Sequence, residues 1–233
     1  MRSPHELYAS PSDSILAQES SRTFMQRVYG WMTAGLALTG VTAMIVASQP
    51  QWLLMARGLM WPIVIGQFLL VIALSAVAHK VSTVVAAAMF LAYSFTTGLL
   101  FSFLFYVYTQ QSIAAAFFVT SGAFAALSIF GVVTKRNLSA MSTFLFMGLV
   151  GLVIAGVVNI FLQSSMLSFV SACIGVLVFA GLTAWDTQRL KMMHAEASYA
   201  SAGSLAIRGA LTLYLDFINL FISLLRLFGR RRD

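Results

Sequence analysis

Residues 205–228 read LAIRGALTLYLDFINLFISLLRLF, an apolar run with one acid near its middle. The 17 residues between its two arginines span about 26 Å as a helix, near the short limit for crossing a bilayer. Its polar side chains recur every three or four residues and therefore share one helix face. They are Arg208, Thr212, Asp216, Asn219, Ser223 and Arg226. Lipid alone would not tolerate this stripe, so we expect it to face other helices or a watery cavity.

The whole chain has the composition of a membrane protein. Of its 233 residues, 60% are hydrophobic and only 9% are charged, and the mean hydropathy is +0.89. A soluble domain of this length needs more charge. The net charge of +7 comes from basic residues in short gaps between apolar runs, which favours membrane topology over nucleic-acid binding. Cys173 is the only cysteine and the three histidines are dispersed, so we predict no enzyme and no metal cofactor.

The spacing of charges predicts seven transmembrane helices in an all-α bundle, since helices satisfy their own backbone in lipid. We expect a flexible polar tail at residues 1–27, a transmembrane domain at 28–229 and a basic C-terminal tail at 230–233. The predicted spans are Val28–Ala47, Trp61–His79, Val84–Val107, Ile113–Val133, Ala140–Leu162, Leu167–Thr187 and Leu205–Phe228.

The basic residues predict the orientation. A cytoplasmic N-terminus places nine of the 14 Lys and Arg on the inner side and five on the outer side. Four of the outer five lie at or beyond Arg226. A full seventh crossing therefore puts the C-terminal arginines outside, against the rule, whereas a re-entrant segment returns them inside. Although the last segment is near the short limit for a full span, we expect seven crossings, and the side of the C-terminus stays open.

Two acids lie within apolar segments, Asp186 in the sixth span and Asp216 in the seventh. A charge at membrane depth costs roughly 2.5–3.5 kcal/mol, so such residues normally face the bundle interior. Consecutive helices are usually neighbours, so we expect the two carboxyl groups to meet. Their depths in the membrane differ by one or two helical turns, and helix tilt or a late start of the seventh helix would offset this difference. A carboxyl pair shares a proton, senses pH and can bind a divalent cation when the proton leaves. The alternative is that the polar stripe only hydrogen-bonds neighbouring helices.

From Gln26 to Arg232 the chain resembles the Bax inhibitor-1 family, particularly its bacterial members. Five segments in this order carry the resemblance: VYGWM at 28–32, TKRNLS at 134–139, FLFMG at 144–148, GVLVFAGLTAWDTQ at 175–188 and GALTLYLDFINLF at 209–221.

The resemblance implies a seven-helix bundle whose last helix is surrounded by the other six, in the bacterial inner membrane. It also implies a pH-sensitive calcium leak governed by two aspartates, which match Asp186 and Asp216, with Ca²⁺ as the permeant ion and a tentative ligand of the pair. Family members commonly have Tyr in place of Trp185. The family is also described with an Arg on helix 2 that competes for one aspartate. The nearest cation here is Lys80, which cannot make the bidentate contact of an Arg.

Three rival functions stay open. Bacterial relatives are linked to membrane-protein quality control, so residues 1–27 are a candidate segment for binding a membrane protease. Intramembrane aspartyl proteases also use two successive helices, but they carry Gly-x-Gly-Asp where this chain has Leu213-Tyr-Leu-Asp. A proton-coupled transporter is disfavoured because no paired interrupted helices are evident.

Overall fold

The computed structural model describes residues 11–77, 81–196 and 202–232. Within these ranges the chain forms nine helices and no strand, apart from one isolated bridge between Tyr108 and Arg231, which confirms the all-α class. The helices are α1 (Pro11–Ser48), α2 (Pro50–Gly58), α3 (Met60–Val77), α4 (Thr83–Phe101), α5 (Leu104–Val107), α6 (Gln110–Val133), α7 (Ser139–Leu162), α8 (Ser165–Glu196) and α9 (Ala202–Phe228).

Six stretches of the described residues are long and apolar enough to cross a membrane. A seventh span results when α2 and α3, bent by 66° at their junction, are taken together. The count therefore fits the predicted seven. The six are Ser21–Ser48, Thr83–Val107, Gln110–Val133, Ser139–Leu162, Ser165–Met193 and Gly203–Phe228.

Polar residues in the gaps between apolar runs fix the helix ends. The Ser82 side chain accepts a hydrogen bond from the first turn of α4, and Thr109 does the same for α6. Pro50 occupies the first turn of α2, where its missing N–H costs nothing. Gln163 ends α7 in the left-handed conformation, with φ of 48°. The breaks fall where the sequence predicts them because lipid excludes unpaired backbone groups from the apolar runs.

Helix α9 is the central helix. In its most apolar window 61% of the residues are buried, against 6% for α7. It packs against α1, α4, α6 and α8, whereas α3 lies mainly against α4 and α7 against α8. The expected central position is thus found, but extensive packing involves four neighbours rather than six. Two apolar clusters fill the space around α9, one with α1, α4 and α6 and one with α7 and α8.

The C-terminus lies at the same membrane face as the α5–α6 turn. The Thr109 N–H donates to the Arg230 carbonyl at 3.1 Å, and the Arg232 N–H donates to the Val107 carbonyl at 2.9 Å. Helix α9 therefore crosses completely, and the re-entrant alternative is wrong. We call this face the outer face, and the face with the α6–α7 turn the inner face, as the basic residues predict.

Two helices are longer than the sequence suggests. Helix α1 begins at Pro11, so residues 11–27, expected in a flexible tail, are helical, and Phe24 and Met25 are buried in the bundle. Helix α8 continues to Glu196, nine residues beyond the predicted end at Thr187.

Candidate ion site between the last two helices

The structure brings Asp186 and Asp216 together between α8 and α9. These helices run antiparallel, and contacts on either side of the pair fix their register. Towards the inner face, a Cβ added to Gly209 would lie 2.9 Å from the Leu190 side chain. Towards the outer face, a Cβ added to Gly175 would lie 2.5 Å from the Ser223 hydroxyl. Asp186 and Asp216 lie at similar depth, without the expected difference, because α8 continues past Thr187 before the chain turns.

The two carboxyl groups are buried and within hydrogen-bonding reach of each other. Asp186 is 7% exposed and Asp216 is 4% exposed. The Asp216 Oδ2 atom is buried and receives no hydrogen bond from any N–H or O–H group in the described residues. Two ionised carboxylates in this contact would repel each other, and no donor among the described residues offsets the charge at Oδ2 of Asp216. The arrangement is therefore stable when the pair shares one proton.

Helix α6 forms a second wall of the site. The backbone of Gly131 packs on the Ala184 carbonyl, where a Cβ would clash with backbone atoms. Thr183 and Thr187 are fully buried on α8, and the Thr187 hydroxyl donates to the Ser128 hydroxyl at 3.5 Å, a long and weak hydrogen bond. The segment of α8 that carries Asp186 is thus pressed against α6.

Polar contacts hold the inner end of α8 to the α6–α7 turn. The Gln188 Oε1 atom accepts from the Leu138 N–H, and its Nε2 donates to the Arg136 carbonyl, both at 2.9 Å. The Lys191 Nζ atom donates to the Val132 carbonyl at 3.2 Å. These contacts satisfy backbone groups of a non-helical turn, and they explain why α8 stays helical beyond its apolar run.

Among the described residues, Arg189 is the cation that acts on Asp186. It lies one turn further along α8 and interacts electrostatically with that carboxyl group. Its guanidinium carbon is 5.1 Å from the centroid of the Trp185 ring, a cation–π contact. Sequence reasoning missed Arg189, although its i+3 spacing from Asp186 was a usable signal. The predicted switch partner, Lys80, lies outside the described residues.

The polar stripe of α9 is the least covered face of that helix. Arg208, Thr212 and Asn219 are half-buried and Arg226 is exposed, whereas Asp216 and Ser223 are buried at the edge of the stripe. Within the described structure, the hydrogen bonds of the uncharged members return to α9 itself: Thr212 to the Arg208 carbonyl, Asn219 to the Leu215 carbonyl and Ser223 to the Asn219 carbonyl. Within the described residues, the uncharged members of the stripe therefore form no hydrogen bond to a neighbouring helix, and the half-buried members lie on the less covered side of α9.

Apolar side chains pack around the inner end of α9. Val28 of α1 and Leu190 of α8 both reach Gly209 of α9, and Val28 is fully buried. Phe24 and Met25, one turn before Val28, are also buried. Three helices thus meet at the inner end, just below the carboxyl pair.

A second polar cluster holds the opposite side of α9. The hydroxyl groups of Tyr214 and Thr39 are 2.6 Å apart, and the Thr39 hydroxyl lies 2.9 Å from the Ser94 carbonyl. A Cβ on Gly98 would lie 2.8 Å from the Thr39 carbonyl, so α1 and α4 are in close contact here. Nothing in the sequence predicted that Tyr214 would join this cluster.

The fold and the site define an α-helical polytopic membrane protein with a carboxyl pair buried between its last two helices. The chain belongs to the Bax inhibitor-1 family, because the family model described as "Inhibitor of apoptosis-promoting Bax1" matches residues 21–233. This confirms the resemblance seen in the sequence.

Bacterial relatives match nearly the whole chain. It is 47% identical over 228 residues to the inner membrane protein YbhL of Escherichia coli, covering 95% of this chain and 97% of that protein. It is 44% identical over 213 residues to a protein of Deinococcus radiodurans, with coverage of 91% and 92%. It is 42% identical over 218 residues to a protein of Rickettsia prowazekii, with coverage of 92% of each.

Proposed function

We propose that this protein is a pH-sensitive cation leak of the bacterial inner membrane, gated by Asp186 and Asp216, with Ca²⁺ as the permeant ion. The observation that supports this most is the buried contact between the two carboxyl groups, in which Oδ2 of Asp216 receives no hydrogen bond from the described residues. A purely structural pair would have its oxygens satisfied by donors.

The gating step is the loss of the shared proton. Two unit charges 4 Å apart repel by about 4 kcal/mol at an effective dielectric constant of 20. Among the described residues, the opposing charge that acts on Asp186 is Arg189, which is exposed and in contact with Trp185. Deprotonation therefore favours separation of α8 from α9, which breaks the packing of Val28, Leu190 and Gly209 and would open a path between the carboxyl pair and the inner face.

The same pair suits passage of a cation rather than its storage. Two carboxylates offer at most four oxygens, whereas Ca²⁺ takes about six to eight. In the described part of the chain, no group of three or more His, Cys, Asp or Glu side chains is arranged to hold a metal. A cation would keep part of its hydration and bind weakly, and conduction requires such weak binding.

The test is calcium flux into proteoliposomes across a pH series. We expect flux to rise with pH in the wild type and to lose most of this dependence in Asp216→Asn. Asp13→Asn is the matched control, since it makes the same chemical change before the first membrane span. A wild-type flux no greater than that of empty liposomes, with folded protein, would reject the proposal.

A second candidate function is binding of a membrane protease by the N-terminal segment. Helix α1 has 38 residues and begins ten residues before its membrane span. Those ten residues project about 15 Å from the membrane as a helix, so they form a docking segment separate from the bundle. Deletion of residues 1–20 should abolish such binding and leave any calcium flux unchanged.

A further inference from the structure

A group of exposed arginines lies at the outer end of α9. Its members are Arg226, in the last turn of the helix, and Arg230, Arg231 and Arg232, which follow the helix. We call this set the outer arginine patch. Its position requires a physical reason, because arginines on the outer side of a membrane protein run against the usual charge bias.

Backbone hydrogen bonds hold the segment after α9 along the α5–α6 turn. The Arg230 N–H donates to the Ser112 hydroxyl at 2.9 Å, and the Arg230 carbonyl accepts from the Thr109 N–H at 3.1 Å. The Arg232 N–H donates to the Val107 carbonyl at 2.9 Å. The segment therefore follows the surface of the bundle and does not project away from it.

Three membrane spans end where this segment lies. They are Thr83–Val107, Gln110–Val133 and Gly203–Phe228. The segment is hydrogen-bonded to the outer ends of the first two and continues directly from the third. The end of an apolar span marks the boundary between the hydrocarbon core and the lipid headgroups. The outer arginine patch is therefore fixed at the level of the lipid phosphates.

The acidic residues of the chain do not balance the patch. The sequence from Ser20 to Trp185 contains no Asp or Glu. The acids that the structure describes lie near the start of α1, in the carboxyl pair or at the inner end of α8, away from the outer face. Asp233 lies outside the described residues, and a single carboxylate would offset only one of the four positive charges.

Part of the positive charge has a partner within the protein. A cation in the last turn of a helix is favoured by the helix dipole, which accounts for Arg226 but not for the arginines beyond the helix. The Arg232 Nη1 atom donates to the Phe105 carbonyl at 2.9 Å, which uses one N–H group of that guanidinium. The remaining N–H donors suit a phosphate, because a guanidinium binds phosphate oxygens through paired hydrogen bonds.

We propose that the outer arginine patch binds the phosphate of an anionic phospholipid in the outer leaflet. The hydrogen-bonded backbone already holds the arginines at phosphate depth, so binding does not have to order a free tail. A lipid fits this place better than a soluble anion, because Phe228 beside the patch is 77% exposed and offers an apolar surface to an acyl chain. The site is separate from the carboxyl pair, and the proposal does not depend on any ion flux.

Photocrosslinking from position 228 identifies the lipid beside the patch. We would replace Phe228 with p-benzoylphenylalanine and reconstitute the protein in nanodiscs with equal amounts of phosphatidylglycerol and phosphatidylcholine that carry the same acyl chains. Mass spectrometry then gives the ratio of the two lipid adducts. The matched control position is Phe161, which is 82% exposed near the outer end of α7 and precedes a turn without charge. One cation near the surface favours the anionic lipid by about fivefold. We expect at least that ratio at Phe228 and nearly equal adducts at Phe161.

Two triple variants test the role of the charges. Gln in place of Arg230, Arg231 and Arg232 should return the adduct ratio at Phe228 to the ratio at Phe161. Lys at the same three positions keeps the charges and should keep most of the preference, so an equal loss in the Gln and Lys variants would overturn the proposal. Equal ratios at Phe228 and Phe161 in the protein with all its arginines would also overturn it. Adducts between two protein chains at Phe228, in place of lipid adducts, would instead assign this surface to contact between copies of the chain.

Discussion

Asp216→Asn is the perturbation that tests the carboxyl pair most directly. The substitution keeps the size and shape of the side chain and replaces one carboxyl oxygen with an N–H donor. In the wild type the contact with Asp186 needs a shared proton. In the variant the amide can donate to Asp186 at any pH, so the contact between α8 and α9 no longer depends on protonation.

The magnitude follows from the geometry. If two charges at contact repel by about 4 kcal/mol, deprotonation shifts the closed-to-open ratio by up to about a thousandfold in the wild type. The variant lacks the second charge and is expected to lose nearly all of this shift. Because Asp216 is 4% exposed, solvent screens the repulsion between the two carboxylates only weakly. The repulsion of about 4 kcal/mol therefore applies better to this site than to a pair of charges on the surface.

The assay uses liposomes with an enclosed calcium indicator, the same protein amount for each variant and a pH series from acid to mildly alkaline. We expect wild-type flux to rise with pH, Asp13→Asn to follow the wild type, and Asp216→Asn to give a nearly flat profile. Thermal unfolding in detergent establishes that the variants are folded. A folded Asp216→Asn protein with the wild-type pH profile would refute the role assigned to the pair.

Three further predictions concern the surroundings of the pair. Gly131→Ala places a methyl group against a backbone carbonyl of α8 and should destabilise the protein by about 1–3 kcal/mol in thermal or denaturant unfolding. The control variant Gly122→Ala has open space around the new methyl group and should be close to neutral. Equal stability of the two variants would contradict the close approach of α6 and α8. Tyr214→Phe removes a hydrogen bond to α1 and should cost about 1 kcal/mol with an unchanged pH profile, so a shifted profile would place this contact within the gate. Arg189→Gln removes the positive charge that acts on Asp186, so the pH of half-maximal flux should rise. The rise should be less than about one unit because Arg189 is exposed. A fall in this pH would mean that another cation governs the pair.

The spans were predictable because bilayer thickness and backbone hydrogen bonding constrain them strongly. Most of the predicted spans became single helices, although Val84–Val107 is divided between α4 and α5. Gln163, in the gap between two predicted spans, forms the left-handed end of α7. The meeting of the two aspartates was also predictable, since one short connection joins their helices.

Contacts between distant segments were not predictable. Gln188 and Lys191 are polar, so sequence alone ends α8 before them, yet they extend the helix because the α6–α7 turn offers them backbone partners. Arg189 was not predicted because the family description points to a cation on the second span instead. The packed part of α1 begins before the predicted boundary at Arg27, because Phe24 and Met25 are buried in the bundle. A local sequence pattern does not show such burial.

Tyr214 and Asp216 make contacts of different kinds on two sides of α9. Two residues apart at 3.6 residues per turn, their side chains point to nearly opposite sides of the helix. Tyr214 joins hydroxyl and carbonyl groups of α1 and α4, and neutral groups of this kind do not change charge near neutral pH. Asp216 meets a carboxyl group, whose contact changes with one proton. Under the proposed gating, a change in pH therefore acts on the α8 side of α9, while α1 and α4 hold the helix in place.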